Sequence, residues 1–471
     1  MPKRVAAGAA ILLTALGYFL ATGTNDVWPL AWIAPVPILL YAFTAPPRAT
    51  LIAAFLAYLF GSLSYFSALR PIISLLLLFF ALVVPAAVFA CVILATRRAV
   101  LRFDHWAAVF AFPVLWTAWD QLWPYNHLAY SQADFLPLIQ IASVTGPSGV
   151  AFLLALAASG IALAWHLRRR RGAAAALIIP SVLCALVIAW GWMRMAHPPS
   201  RPPVRIGLAA TDETIRYFRT QRSEEALPVI AAYARRVGDL AGRGAEVVVL
   251  PEKFVGIAPA YAREARQILA AAARTHHVAV IAGFNQLESP APRNLAVVFT
   301  PEGEIQTEYA KVLLVPGFED NYQPGDRLGI LPPTPGHQGT WGVAICRDLL
   351  FPELGRKYGR AGVGLMLIPA WDFVTDGPIE ARITRLRAVE GGFAVARAAQ
   401  EGVPLVVDPY GRVVAQAPTH GQPEVLIVAD VVPGSGATIY SRTGDWFGWL
   451  NVIGAVVLLA LNARRTTTDE H

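Results

Sequence analysis

The chain has 471 residues, 55% hydrophobic and 15% charged, with a mean hydropathy of +0.48, a balance that excludes an ordinary soluble globular protein and a disordered chain. Its net charge of +7 and pI near 9.4 would point to nucleic acid only if the basic residues gathered on a soluble face. They flank apolar runs instead, so no nucleic-acid partner is expected.

Long uncharged runs fill the chain up to about residue 196, a mixed region follows to about 436, and one apolar run closes it. Counting each run near the ~20 residues that cross ~30 Å of hydrocarbon gives about eight membrane helices. They fall at 5–22, 27–44, 50–69, 71–96, 106–123, 148–166, 173–193 and 445–462. Pro29, Pro35 and Pro37 interrupt the second, and Asp120 sits near the end of the fifth. Six further apolar runs follow the first before any soluble region, so it reads as an uncleaved helix and not a signal peptide. If the segments alternate, Lys3, Arg4, Arg48, Arg97, Arg98, Arg102, the arginines at 168–171, Arg464 and Arg465 share one side. The other side has only Arg70 and the flank near Arg194. Short cytoplasmic loops are enriched in Lys and Arg. Both termini are therefore expected in the cytoplasm, with 197–443 outside.

Between the fifth and sixth helices, Trp123-Pro124-Tyr125-Asn126-His127-Leu128-Ala129-Tyr130-Ser131-Gln132 has the aromatic and Pro/Asn character of an interfacial loop, and 135–142 is too short to span. It reads either as a packed external loop or as the lining of a lipid access path, with Tyr130 and Gln132 as candidate lipid contacts. The Pro-rich stretch 197–203 is a stiff linker. Beyond it, short β-branched runs alternate with helical periods, as at Leu227, Ile230, Ala234, Val237 and Ala241. That alternation predicts a layered α/β domain. The expected organisation is a membrane bundle over 1–196, a linker over 197–203, a catalytic domain over 204–436, and a closing helix with a cytoplasmic tail over 437–471.

Within this domain an apolar strand ends at Ile345-Cys346, and Phe351-Pro352-Glu353 opens a helix. A thiol at such a turn, near helix amides and a cation, is expected to favour the thiolate. Cys91 and Cys184 lie in apolar segments, leaving no pair for a disulfide in the external domain. Glu252 follows the strand Val247-Val248-Val249-Leu250-Pro251, and Lys311 follows Glu308-Tyr309-Ala310. Strand ends on one rim of an α/β sheet converge, so these side chains can share a pocket. Taken singly, each is as easily a solvated loop charge or, for the cysteine, a small core residue. The nine histidines show no ligand spacing, and the chemistry needs neither metal nor cofactor.

Together, Leu250-Pro251-Glu252, Tyr309-Ala310-Lys311 and Ile345-Cys346-Arg347-Asp348 resemble the Glu-Lys-Cys motifs of the nitrilase (carbon-nitrogen hydrolase) superfamily. Trp32-Ile33-Ala34-Pro35-Val36-Pro37, Ala129-Tyr130-Ser131-Gln132, Leu136-Pro137-Leu138-Ile139-Gln140, Leu313-Leu314-Val315-Pro316 and Tyr440-Ser441-Arg442-Thr443-Gly444-Asp445-Trp446 narrow the resemblance to the bacterial apolipoprotein N-acyltransferase family. That resemblance implies an external αββα sandwich held by the helical bundle. It implies a membrane acyltransferase that takes a fatty acyl group from a phospholipid onto Cys346 as a thioester and passes it to the N-terminal amine of a diacylglyceryl-cysteine lipoprotein. Glu252 carries over as general base, Lys311 as the oxyanion partner and Glu319 as a supporting carboxylate. A membrane-anchored amidase or lipid ester hydrolase, and a catalytically silent scaffold, are the alternatives.

Several positions depart from the family pattern. Cys346-Arg347-Asp348 stands where Cys-Tyr-Glu is usual, Val315-Pro316-Gly317-Phe318-Glu319-Asp320 where Val-Pro-Phe-Gly-Glu-Tyr is usual, and Pro369-Ala370-Trp371-Asp372-Phe373 where Asn-Asp-Ala-Trp-Phe is usual. Arg347 and Asp348 are thus candidate supporting residues, Arg347 either adding positive potential for an acidic headgroup or holding the thiolate. Phe318, Trp371 and Phe373 are candidate lid aromatics for lipid, with core packing as the rival reading.

Overall fold

A computed structural model describes residues 3–123, 128–288, 290–332 and 339–463. The chain separates into two compact units, Met1–Ala196 with Thr443–His471, and His197–Arg442.

Among the described residues of the first unit, five helices are long and apolar enough to cross a membrane: Pro47–Leu69, Leu75–Phe103, Pro147–His166, Ala173–Met195 and Trp446–Ala463. Val5–Ala21, Trp28–Ala42 and Leu136–Thr145 are shorter apolar helices. The expected crossing at 27–44 is therefore not one continuous helix. A 3-10 turn over Trp28–Trp32 precedes an α-helix over Val36–Ala42. Pro35 and Pro37, which lack an N–H, fall at the junction, and seven residues rise only ~10 Å. The segment at 106–123 likewise divides into a 3-10 turn, Trp106–Phe110, and a twelve-residue helix, Ala111–Leu122. Inside this unit Tyr18, Tyr58, Phe89 and Trp116 form one aromatic knot, with neighbouring ring centroids 4.8–5.3 Å apart for Tyr18–Tyr58, Tyr58–Phe89 and Phe89–Trp116. Outward-facing Leu12, Leu76, Ile178, Trp192 and Ile453 are exposed, as lipid-facing side chains should be.

Gln132 is fully buried, as in the packed-loop reading of its segment, and acts as a staple. Its Oε1 accepts from Trp32 Nε1 at 3.0 Å, and its Nε2 donates to the Trp28 carbonyl at 3.0 Å. Tyr130 is buried beside it. An amide away from water keeps such partners because leaving them unmade is costly. The aromatic loop at 124–127 and Arg464 with Arg465 lie outside the described residues.

The second unit carries thirteen strands among the described residues: β1 Val204–Ala210, β2 Val247–Val249, β3 Val255–Ile257, β4 Ala279–Gln286, β5 Arg293–Phe299, β6 Ile305–Ala310, β7 Gly329–Leu331, β8 Thr340–Val343, β9 Val363–Trp371, β10 Ala394–Gln400, β11 Leu405–Val407, β12 Val413–Gln416 and β13 Val425–Val431. One sheet runs β13-β1-β2-β4-β5-β6 with β3 on β4, and the other runs β12-β11-β10-β9-β8-β7. Period-two alternation assigns the faces. Ile206, Leu208, Val247 and Val249 pack toward the second sheet with Val343, Leu365, Leu367 and Val395. Ala209, Val248 and Leu250 face the helices Ser223–Gly242 and Ala262–His276 through Ile230, Tyr233, Val237 and Leu269. Helices Pro352–Arg360 and Gly377–Gly391 contribute Leu354, Tyr358 and Ala388 to the core around the second sheet. The result is an αββα sandwich. β1, β2 and β4 are parallel in one sheet and β8, β9 and β10 in the other. Their carboxyl ends form the rim where α/β sheets place ligands.

Candidate active site

Cys346 stands three residues beyond the end of β8, with φ 42°. A non-glycine residue held there costs about 1–3 kcal/mol and persists only when its surroundings fix it. Asp348 fixes it. This buried carboxylate accepts from Ile345 N at 3.0 Å, Tyr309 Oη at 2.7 Å, Val312 N at 3.1 Å and Leu313 N at 2.7 Å. Residues on both sides of Lys311 are thereby tied to the cysteine turn. Burial lifts the Asp348 carboxyl to about 6, against the pull of these hydrogen bonds. A 3-10 turn, Cys346–Leu349, separates the thiol from the helix that starts at Pro352.

Glu252 follows β2 and is strapped to the opposite sheet: its N–H donates to the Ala370 carbonyl at 3.2 Å, and its own carbonyl accepts from Gln400 Nε2 at 2.7 Å. A Cβ at Gly283 would lie 2.2 Å from the Pro251 carbonyl oxygen, so this close approach requires glycine. Lys311 follows β6, its N–H donating to the Asn294 carbonyl at 2.9 Å. Its ammonium donates to Glu252 Oε1 at 2.8 Å and lies 3.0 Å from Glu319 Oε2. Asn294 Nδ2 bridges the two carboxylates, 2.6 Å from Glu252 Oε1 and 2.7 Å from Glu319 Oε1. Lys253 Nζ donates to Glu319 Oε1 at 2.6 Å, and the Val315 N–H donates to Glu319 Oε2 at 2.9 Å. All five side chains are buried.

The electrostatics follow from that count. Burial alone would lower the Lys311 ammonium, but Glu252, the thiol site and Glu319 together raise it above its ordinary value. Burial would raise Glu319, yet Lys311 and Lys253 bring it down to about 2. The Cys346 thiol, partly exposed as a residue, is pushed well above its ordinary value by burial and then by Glu252. Lys311 and Arg397 oppose this, and Asp372 adds to it. The expected resting thiolate is thus corrected: the sulfur rests as a thiol, donating to the Trp371 carbonyl at 3.4 Å. A carboxylate close by disfavours a second negative charge, and burial adds to that cost.

A second buried group also acts on the sulfur. Arg397 on β10 donates to both Asp372 oxygens, one at 3.0 Å, and lies 3.9 Å from Glu380. Burial and Asp372 lift Asp376 to about 7, while burial with Asp376 and Asp372 lifts Glu380 well above the carboxylate range. Arg347 lies over the Phe351 ring at 4.9 Å, and Glu380 feels its charge. Among the aromatics, Phe318 is 41% exposed and its ring centroid lies 4.9 Å from that of Phe373. Trp371 meets Phe218 edge to face at 5.0 Å and donates through Nε1 to Glu401 at 2.8 Å.

Glu252, Lys311, Glu319, Asp348 and Cys346 therefore come together; Tyr130 and Gln132 belong to the other unit. Asn294 and Lys253 escaped the sequence reading. Pairing β5 with β6 would have found Asn294, since Leu295 faces Ala310 and Asn294 therefore flanks Lys311. Lys253 gave no such signal, because strand alternation sends the neighbour of Glu252 away from the site.

Two families match the chain: carbon-nitrogen hydrolase over residues 214–439 and the apolipoprotein N-acyltransferase N-terminal domain over residues 14–160. Similar curated proteins include the apolipoprotein N-acyltransferases of Geobacter metallireducens, 29% identical across 93% of this chain and 91% of that one, and of Vibrio parahaemolyticus, 27% identical across 91% of each. Among solved structures, an amidase from Nesterenkonia superposes with a TM-score of 0.43 at 22% identity, over 52% of this chain and 95% of its own.

Proposed function

Because the chain joins an apolipoprotein N-acyltransferase N-terminal domain to a carbon-nitrogen hydrolase domain, and so belongs to the apolipoprotein N-acyltransferase family, we infer that it acylates the amino terminus of lipoproteins through a thioester on Cys346. The observation that carries the residue roles is the Lys311 ammonium held between Glu252 at 2.8 Å and Glu319 at 3.0 Å, with the thiol sensing both Glu252 and Lys311.

In the first half-reaction the Cys346 sulfur attacks the ester carbonyl carbon of a phospholipid, and Glu252 takes the thiol proton as the S–C bond forms. A resting thiol beside a carboxylate suits this concerted transfer, which is typically worth 10²–10⁴-fold. The Lys311 ammonium, with one hydrogen left over from its two carboxylates, stabilises the tetrahedral oxyanion. The C–O bond then breaks, Glu252 returns the proton to the departing oxygen, and a lysophospholipid leaves. In the second half-reaction the neutral α-amine of a diacylglyceryl-cysteine attacks the thioester carbon and gives a proton to Glu252. The C–S bond breaks, the amide forms and the thiol is restored. Glu319 and Asn294 hold the Glu252–Lys311 pair, and Asp348 holds the strained cysteine turn against Lys311. Phe318, Trp371 and Phe373 supply an apolar border for an acyl chain.

Both substrates are lipids, which accounts for a hydrolase-type domain anchored by apolar helices. The arginine asymmetry supports an inner-membrane placement with both termini cytoplasmic and the catalytic unit outside. The test is Cys346→Ala in a cell with no other N-acyltransferase. Its lipoproteins should stay diacylated, and wild-type protein given phospholipid should show a fatty-acyl mass on Cys346 that a diacylated lipopeptide discharges. Full N-acylation in the Cys346→Ala strain would refute the assignment. Steady release of free fatty acid without any acceptor would instead identify a hydrolase.

A further inference from the structure

The reaction above leaves Lys253 without a task, although it is 6% exposed and points into the same pocket as Glu252. Its φ of 45° makes this possible. In extended backbone, successive side chains point to opposite faces. One left-handed residue lets both neighbours face the site, where Lys253 Nζ and Glu252 Oε1 stand 3.9 Å apart. The ammonium donates to Glu319 at 2.6 Å and lies over the rings of Tyr322 at 5.2 Å and Trp371 at 5.4 Å. Those contacts hold it against the carboxylate that also receives Lys311.

The balance of charge changes with this residue. Glu252 and Glu319 are answered by Lys311 and Lys253, so the cluster is neutral before the sulfur reacts. Without Lys253 one ammonium would answer two carboxylates, leaving a net negative charge beside a sulfur that must itself become negative. The other charges facing the thiol do not compensate, because Arg397 and Asp372 pair with each other and Arg347 lies against Phe351 in the field of Glu380.

We propose that Lys253 is a positioning residue that holds Glu319 as an anion on its own ammonium, so that Lys311 serves Glu252 and negative charge can form on the Cys346 sulfur. It acts through Glu319 and Lys311 and touches no reacting atom. The inference rests on the preceding reading only in taking Cys346 as the nucleophile.

Alkylation by iodoacetamide tests it on the full-length protein in detergent, followed at the Cys346 peptide by mass spectrometry across pH. This assay needs neither lipid nor lipoprotein, so its outcome is separate from that of the Cys346→Ala strain. Lys253→Met should slow alkylation near neutral pH by about tenfold and move its pH midpoint up by about one unit, the two being the same quantity. Lys253→Arg should stay within about threefold of wild type, since the cation is kept. The double variant Lys253→Met with Glu319→Gln is neutral again, with Glu252 facing Lys311, and should recover most of the lost rate. A Lys253→Met profile that overlays the wild type would overturn the proposal. So would a double variant no faster than Lys253→Met alone, the result expected of a packing role.

Discussion

Two groups of buried charge act on the Cys346 sulfur, and they are filled differently. On one side Glu252 and Glu319 meet Lys311, Lys253 and the Asn294 amide. On the other, Asp372, Asp376 and Glu380 share Arg397. Both are buried, yet their carboxyls shift in opposite directions. Glu319 is brought down to about 2, whereas Asp376 rises to about 7 and Glu380 higher still. Depth sets the size of the penalty on a charge; the number of opposite partners within reach decides whether the charge is kept. Glu319, in the balanced group, stays ionised through neutral pH and can present a fixed field to a reaction. The overfilled group stores protons and changes its charge near neutral pH.

Removing a cation from the balanced side should have the largest effect. Lys311→Met leaves Glu252 and Glu319 with Lys253 alone, and breaking such a buried pair costs about 3–5 kcal/mol. Loss of the oxyanion partner should lower acyl-enzyme formation by a further ~10²–10³-fold. Labelled phospholipid should therefore leave no adduct on Cys346, and the melting midpoint in detergent should fall. A variant that melts like the wild type and still acylates would mean that the two groups do not differ in the way described.

Asp348→Asn ranks next. The Asp348 carboxylate answers four donors, three N–H groups and the Tyr309 hydroxyl. An asparagine turns an –NH2 toward at least one of them, and an unanswered buried donor costs about 1–3 kcal/mol. Because the same residue holds the positive φ of Cys346, the rate of thiol alkylation should fall together with stability. Stability lost with an unchanged alkylation rate would separate the strut from the nucleophile turn.

What the sequence revealed of these two groups follows from how each residue is placed. Glu252, Lys311 and Cys346 were legible because each closes a strand whose apolar run is visible, and the layered α/β reading put those ends on one rim. Glu319 was reached only by resemblance, since it lies in a loop with no periodicity. Lys253 was hidden by a backbone angle that no local pattern announces. The acids around Arg397 converge from the end of β9, the following loop and the Gly377–Gly391 helix, a meeting that exists only after the second sheet is assembled. The three-residue strands β3 and β7 were too short to show alternation. In the membrane unit, hydropathy located the apolar segments well. Length did not follow from it, because prolines at 35 and 37 fall where one segment divides into a 3-10 turn and a short α-helix.

The smallest predicted effect on the reaction belongs to the overfilled side. A carboxyl near 3.9 in the unfolded chain and at about 7 in the folded one binds its proton more tightly when folded. Between pH ~4 and ~7 the native state then holds more protons than the unfolded state, so the contribution of Asp376 to stability falls as pH rises through that window. Asparagine cannot ionise, and its carbonyl oxygen can still accept the Phe373 N–H that Asp376 holds at 2.7 Å. Asp376→Asn should thus match the wild type near pH 4 and become more stable by about 4 kcal/mol above pH 7, a shift of about 8–16 °C in melting midpoint for a unit of this size. The same substitution logic applied to Glu319 has the opposite sign, because a carboxylate held at about 2 by two ammoniums stabilises the fold above pH ~4.3 and is missed when neutralised. A gain at position 376 that is equal at pH 5 and pH 8, or a gain at position 319, would show that partner count does not set these two groups apart.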